Sequence, residues 1–275
     1  MIERIREEAR KAFEEGKIEI LIGFGRGTLR ATPIFIEKKE DVDKLIWDDT
    51  CWINLATYLR RFRGKKTGIV AKGCDARSVV ALIAEKQLKR EDVYIIGVPC
   101  QGMKNEKGEE FLSCRYCEYP TPPVYDVLVG EKREGKKENY PDVSEFESMP
   151  PEKRWEFFSE EVKKCIRCYA CREACPMCYC EECFVDSLDP RWLEPGLSLS
   201  SLQFWHLVRA YHQAGRCSDC GACERACPMD VKILYLTRKL NKEVRELFGF
   251  VTGLDPEALP PLGTYSTEDK EEFIL

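Results

Sequence analysis

Two copies of one cysteine string constrain this chain more than any other feature. Cys165-Ile-Arg-Cys168-Tyr-Ala-Cys171-Arg-Glu-Ala-Cys175-Pro176 and Cys217-Ser-Asp-Cys220-Gly-Ala-Cys223-Glu-Arg-Ala-Cys227-Pro228 both read C-x2-C-x2-C-x3-C-P. That run holds cubane iron–sulfur clusters, and the fourth cysteine of each string serves the other string's cluster. Two intervening residues let a tight loop aim three successive sulfurs at one centre. The proline after the fourth cannot extend a helical hydrogen-bond ladder and turns the chain aside. The expected ligand sets are therefore Cys165, Cys168, Cys171 and Cys227 for one [4Fe-4S] cluster, and Cys217, Cys220, Cys223 and Cys175 for a second.

Zinc and disulfides are the competing readings. Structural zinc takes pairs of ligands separated by a longer spacer, not four cysteines within one short run, twice. Disulfides require an oxidising compartment, and the opening Met1-Ile-Glu-Arg-Ile-Arg-Glu-Glu-Ala-Arg10 is a charged amphipathic helix with no apolar leader. Sixteen cysteines in such a chain point to metal clusters in a reducing cytoplasm. The 275 residues leave room for about two domains. They are 44% hydrophobic and 33% charged, with a net charge of −5. No basic stripe suggests nucleic acid, and no stretch approaches the ~20 apolar residues of a membrane span.

Residues 1–130 read as an α/β domain. Lys17–Gly23 and Thr32–Ile36 are β-branched runs that predict strands, with a glycine-rich turn expected over Gly23-Phe-Gly25-Arg-Gly27-Thr28 between them. Residues 51–63 predict a helix with Leu55 and Leu59 on one face. Thr67–Ala71 predicts a strand, Lys72-Gly73-Cys74-Asp75 a turn with Asp75 as N-cap, and Ala76–Leu88 a helix. Val93–Val98 is a continuous apolar run of the kind buried in a parallel sheet. This is a βαβ crossover, and it carries Cys74 and Cys100 to the carboxyl edge, where open α/β sheets bind ligands. Cys114 and Cys117 follow in the next loop. Cys74, Cys100, Cys114 and Cys117 are thus candidates for a third cluster, against the reading that some are packing residues.

Residues 131–155 are charged and proline-punctuated and read as a linker; 156–245 form the cluster domain and 246–275 a tail. After the first string come Cys178, Cys180 and Cys183, which with Cys51 are candidates for a fourth cluster. Packing thiols are the alternative, and Cys51 alone reads as core. Helices are expected over 154–164, 200–212 and 231–240, the middle one with Leu202, Trp205 and Val208 along one side. The clusters would then sit between helices in an all-α, helical-ferredoxin-type fold. His206 and His212 read as surface or core histidines and not as ligands. The proline- and glutamate-rich tail is expected to wrap a partner or lie loosely on the surface.

Lys72-Gly-Cys-Asp-Ala-Arg-Ser78, Ile96-Gly-Val-Pro-Cys100 and the run Cys165–Cys183 resemble the beta subunits of deazaflavin-coenzyme-dependent hydrogenases and formate dehydrogenases. The stretch from His206 to Gly249 is similar to the helical-ferredoxin subunit of heterodisulfide reductases. Together the resemblances cover about two thirds of the chain. They imply a subunit relaying electrons inside a larger complex, in some members with FAD in the α/β domain. This sequence departs on the flavin, because no stretch reads as an isoalloxazine or pyrophosphate site and the α/β portion is short.

The leading expectation is an electron-transfer subunit, its cysteines acting as ligands and not as acids or bases. No nucleophile–base–orienter set suggests an independent active site. The enzyme alternative is a flavin-containing dehydrogenase subunit oxidising a reduced deazaflavin or a similar hydride donor. The third is a zinc-holding structural module.

Overall fold

The computed structural model describes residues 1–136, 140–264 and 267. Helix α1 (Ile2–Glu14) leads into β1 (Ile20–Arg26) and β2 (Ala31–Ile36). A 3-10 helix, Leu55–Phe62, precedes β3 (Thr67–Ala71), α2 (Gly73–Ala84), β4 (Val93–Gly97), the short α3 (Leu112–Arg115) and β5 (Val127–Leu128). The sheet order is β2-β1-β3-β4-β5. β1, β3, β4 and β5 pair in parallel, whereas β2 is antiparallel to β1. The sheet is therefore mixed and mostly parallel, a correction to the wholly parallel expectation.

Both faces of the sheet are covered, which is why its central strands are apolar without interruption. Alternation along each strand divides the core. Ile69 and Ile95 face α2 and the 3-10 helix, packing with Leu55, Leu59, Val79 and Leu82. Val70 and Ile96 face α1, whose Ile5, Ala9 and Ala12 form one apolar stripe.

Two local expectations change. The glycine-rich segment is not a turn until Gly27, because β1 runs through Gly23 and Gly25 to Arg26. A Cβ at Gly23 would stand 2.3 Å from the Leu45 side chain, and one at Gly25 2.7 Å from Ile34. These glycines allow close packing inside a strand. Helix α2 starts three residues earlier than expected, and its N-cap is Lys72. Asp75 sits inside the first turn and reaches back, accepting from the Lys72 backbone N–H at 2.9 Å and the Leu55 N–H at 3.1 Å. The Lys72 ammonium, buried with it, lies 2.8 Å from the same carboxylate.

The remainder is built on α4 (Pro141–Glu147), α5 (Pro151–Lys163), α6 (Ala170–Glu173), α7 (Leu199–His212), α8 (Ala222–Arg225) and α9 (Leu234–Phe248). α9 begins later than expected and runs longer. It is tied to α4 by Arg238, whose guanidinium donates to Asp142 at 2.7 and 2.9 Å. This helical part is docked on the sheet part. Arg77 of α2 donates to the carbonyls of Ser218 and Thr252, each at 3.0 Å. Arg216 pairs with Glu85 at 2.7 and 2.8 Å, and Arg60 donates to the Tyr179 carbonyl at 2.8 Å. Thr252 is buried and the carbonyl oxygen of Arg77 crowds Gly253. The start of the tail is thus packed against α2 and not loose, while Glu271-Glu-Phe lies outside the described residues.

Candidate iron–sulfur sites

The two cysteine strings fold alike because they share backbone choices. Arg167 and Asp219, the residues before the second cysteine of each string, have φ of 52° and 57°. Tyr169 and Gly221, just after it, have 59° and 69°. Left-handed residues in such a loop turn successive N–H groups inward, forming a concavity suited to negative charge. The Arg167 N–H donates to Cys165 Sγ at 3.3 Å, and the Asp219 N–H to Cys217 Sγ at 3.4 Å. Short helices α6 and α8 then carry the third cysteine of each loop.

Cysteines of the two strings come near one another in two groups. Cys165, Cys168, Cys171 and Cys227 line one cavity, closed by Trp205 and His206 among others. The Val231 N–H donates to Cys227 Sγ at 3.4 Å. Cys217, Cys220, Cys223 and Cys175 form the second group, each within electrostatic reach of the others. Cys175 is delivered by the Pro176-Met177 turn, with Met177 inserted into the α/β core. Burial pushes the Cys217, Cys220 and Cys223 thiols upward, Cys217 to about 12. Cys175 is raised first by its hydrogen bond with Cys178, then by burial. A metal must therefore displace protons from these thiols. The donor chemistry fits a cubane cluster: four sulfurs per group, backbone N–H bonds to sulfur and apolar walls. Among the described residues no three His, Cys, Asp or Glu side chains converge on a single-ion position. A cubane places each thiolate on a different iron and needs no such convergence.

The sheet edge gathers the other expected set. Cys74, in the first turn of α2, and Cys100, three residues past β4, line one cleft with Cys114 and Cys117. α3 holds Cys114, and the Cys117 N–H donates to the Cys114 carbonyl at 3.2 Å. Gly73 permits the cleft to close, since a Cβ there would stand 1.9 Å from the Tyr119 carbonyl oxygen. Cys220 lines the same cleft. Ser113 of α3 donates to the Cys220 carbonyl at 3.4 Å, so the cleft abuts the second sulfur group.

The remaining four cysteines differ in their surroundings. Cys51 is fully buried in the α/β core beside Asp48, whose N–H donates to its sulfur at 3.4 Å. Cys178 turns to Cys175 and Gln213, Cys180 is exposed, and Cys183 lies beside Arg172. None of the sixteen cysteines is in a disulfide. His212 is exposed, and His206 is buried, held down at about 4 first by burial and then by the Arg209 charge. Arg209 and Gln213 escaped the sequence reading. Their signal was helical spacing of polar residues at 206, 209 and 213, shared with other polar positions such as Gln203 and His212.

Among the described residues no helix is long and apolar enough to cross a membrane. The family described as "4Fe-4S dicluster domain" matches residues 161–231, which enclose both strings. The chain is 34% identical over 117 residues to "F420-dependent formate dehydrogenase subunit beta" of Methanocaldococcus jannaschii, covering 42% of this chain and 29% of that protein. It is 33% identical over 139 residues to "F420-dependent formate dehydrogenase 1 subunit beta" of Methanococcus maripaludis, covering 50% of this chain and 32% of that one. The chain thus spans about a third of the length of these curated relatives. Residues 161–231 thus match a 4Fe-4S dicluster domain, and up to half of the chain is similar to beta subunits of F420-dependent formate dehydrogenases.

Proposed function

We propose that this chain is an iron–sulfur electron-transfer subunit of a larger redox complex of the hydrogenase, formate dehydrogenase or heterodisulfide reductase type. One observation carries the reading: thiols from two strings far apart in sequence meet in crossed sets of three plus one. Cys165, Cys168, Cys171 and Cys227 would hold one [4Fe-4S] cluster, and Cys217, Cys220, Cys223 and Cys175 the second. Cys74, Cys100, Cys114 and Cys117 would hold a third. A fourth at Cys51, Cys178, Cys180 and Cys183 has less support, because Cys51 is buried in the α/β core while Cys180 is exposed.

Bound clusters supply one-electron redox chemistry. The residues of the chain do the rest: backbone N–H groups donate to the ligand sulfurs, apolar walls limit water, and the docked halves hold the sites at fixed separation. Cys220 and Cys74 are within electrostatic reach of one another, which supports a route running from the sheet edge through the Cys217 loop to the Cys165 loop. The finer architecture belongs to the same reading: an α/β unit over 1–130, a linker over 131–155, an all-α helical-ferredoxin-type unit over 156–245 and a tail. So do a cytoplasmic location, partner subunits, and no role for nucleic acid or a membrane span.

The test is iron, acid-labile sulfide and flavin per chain on anaerobically purified protein. About twelve irons are expected for three clusters. About eight would remove the sheet-edge site, and zinc in place of iron would overturn the whole reading. Stoichiometric FAD would move the α/β part from scaffold to active site, as in a flavin dehydrogenase oxidising a reduced deazaflavin.

A further inference from the structure

The helix inserted between the two cysteine strings has a polar face turned inward. His206, Arg209 and Gln213 lie on one side of α7 and its C-cap, at spacings of three and four. They are 5%, 4% and 4% exposed. Burying such groups is costly unless they find partners. Gln213 has two: its Nε2 donates to Cys178 Sγ at 3.3 Å, and its Oε1 accepts from Cys175 Sγ at 3.6 Å. The other two are left incomplete. Arg209 Nη2 donates to the Cys171 carbonyl at 3.0 Å, but Arg209 Nε and His206 Nε2 have no hydrogen-bond partner.

Arg209 is the informative member. The cysteines within electrostatic reach of it come from both groups: Cys171 from one, Cys175 and Cys223 from the other, with Cys178 beside them. A guanidinium does not deprotonate in proteins, so a full positive charge stands buried between two sets of four sulfurs. An uncompensated buried charge is strongly unfavourable. It becomes favourable when anionic, thiolate-ligated clusters are its counter-charges.

We propose that Arg209 is the shared counter-charge of the two ferredoxin-type clusters and sets both reduction potentials from one position. The inference rests on the reading of both sulfur groups as cluster sites. Reduction adds negative charge to a cluster, and a fixed cation beside it stabilises the reduced form. Burial leaves that attraction little screened by salt. One side chain thereby raises both potentials together and keeps them matched for transfer between the two sites.

The experiment is a redox titration monitored by electron paramagnetic resonance on anaerobically purified full-length protein, with iron and sulfide measured in parallel. Wild type is compared with Arg209→Met, which keeps the alkyl stem and removes the charge, and Arg209→Lys, which keeps the charge and removes the fork. In the Met variant both clusters are expected to lose at least tenfold in their reduction equilibrium, about 59 mV for a one-electron couple. In the Lys variant both should stay within threefold of wild type. A shift confined to one cluster, or none, with full iron content overturns the proposal. If the Met variant loses iron while the Lys variant keeps it, charge is the requirement and the proposal stands. Iron loss in both, or a tenfold shift in the Lys variant, assigns Arg209 to the hydrogen bond with Cys171 and overturns it. Wild-type protein without iron would instead sink the cluster reading itself.

Discussion

The two cysteine strings are near copies in sequence and backbone, yet they occupy unlike surroundings. The first faces solvent: Cys168 is exposed, and the flanking Ile166 and Met229 are 50% and 40% exposed. The second is enclosed: Cys223 and Gly221 are buried, and the loop is clasped by Arg77, Ser78 and Ser113 of the α/β part. Under the proposed assignment, identical ligand chemistry would serve two roles. An exposed cluster edge can meet an external redox partner, whereas an enclosed one can only pass charge within the chain. Spacing alone makes the sites; the neighbouring fold makes them different.

Substitutions that act equally on both copies should expose that difference. Cys223→Ala and Cys168→Ala each remove one ligand. Both should cost about four irons per chain, but only Cys223→Ala should also loosen the docking of the two parts. Limited proteolysis of the two variants checks this; equal resistance would erase the distinction. Next in size is Arg238→Ala. Arg238 is 1% exposed and joins Asp142 of α4 to Asp219 in the Cys217 loop. Breaking a buried pair by removing one partner costs about 3–5 kcal/mol. Chemical denaturation should register that loss, and the enclosed cluster's signal should disappear before the exposed one's as denaturant rises.

A kinetic contrast should run the other way. During controlled exposure to oxygen, the cluster on Cys165, Cys168, Cys171 and Cys227 should bleach first, because solvent reaches it more readily. Spectra that decay as a single phase, with both clusters lost together, would mean the enclosure is ineffective. Smallest is Ser78→Ala. It removes the 2.8 Å contact between the Ser78 and Ser218 hydroxyls and should cost about 1 kcal/mol, read in thermal unfolding with cluster content unchanged.

The local elements were legible because they depend on near neighbours. The C-x2-C-x2-C loops, α1, β3, β4 and the start and end of α7 follow from spacing and periodicity within a dozen residues. Asp75 shows where such reading stops. It has the chemistry of an N-cap, but the buried Lys72 ammonium and the Leu55 N–H draw it into the first turn, and both partners are set by packing. Gly23 and Gly25 looked like a turn because close approach by Leu45 and Ile34 is not written near them.

By itself the sequence determined that cysteines come in threes on one short loop, twice, since two-residue gaps keep the three within one turn of chain. It also determined that a βαβ unit brings Cys74 and Cys100 to one edge. Only the tertiary structure decided that Cys114, Cys117 and Cys220 join them there, and that Arg209 stands between two sulfur groups. Those facts depend on which surfaces meet when apolar area is buried, and contacts between residues a hundred positions apart leave no periodic trace along the chain.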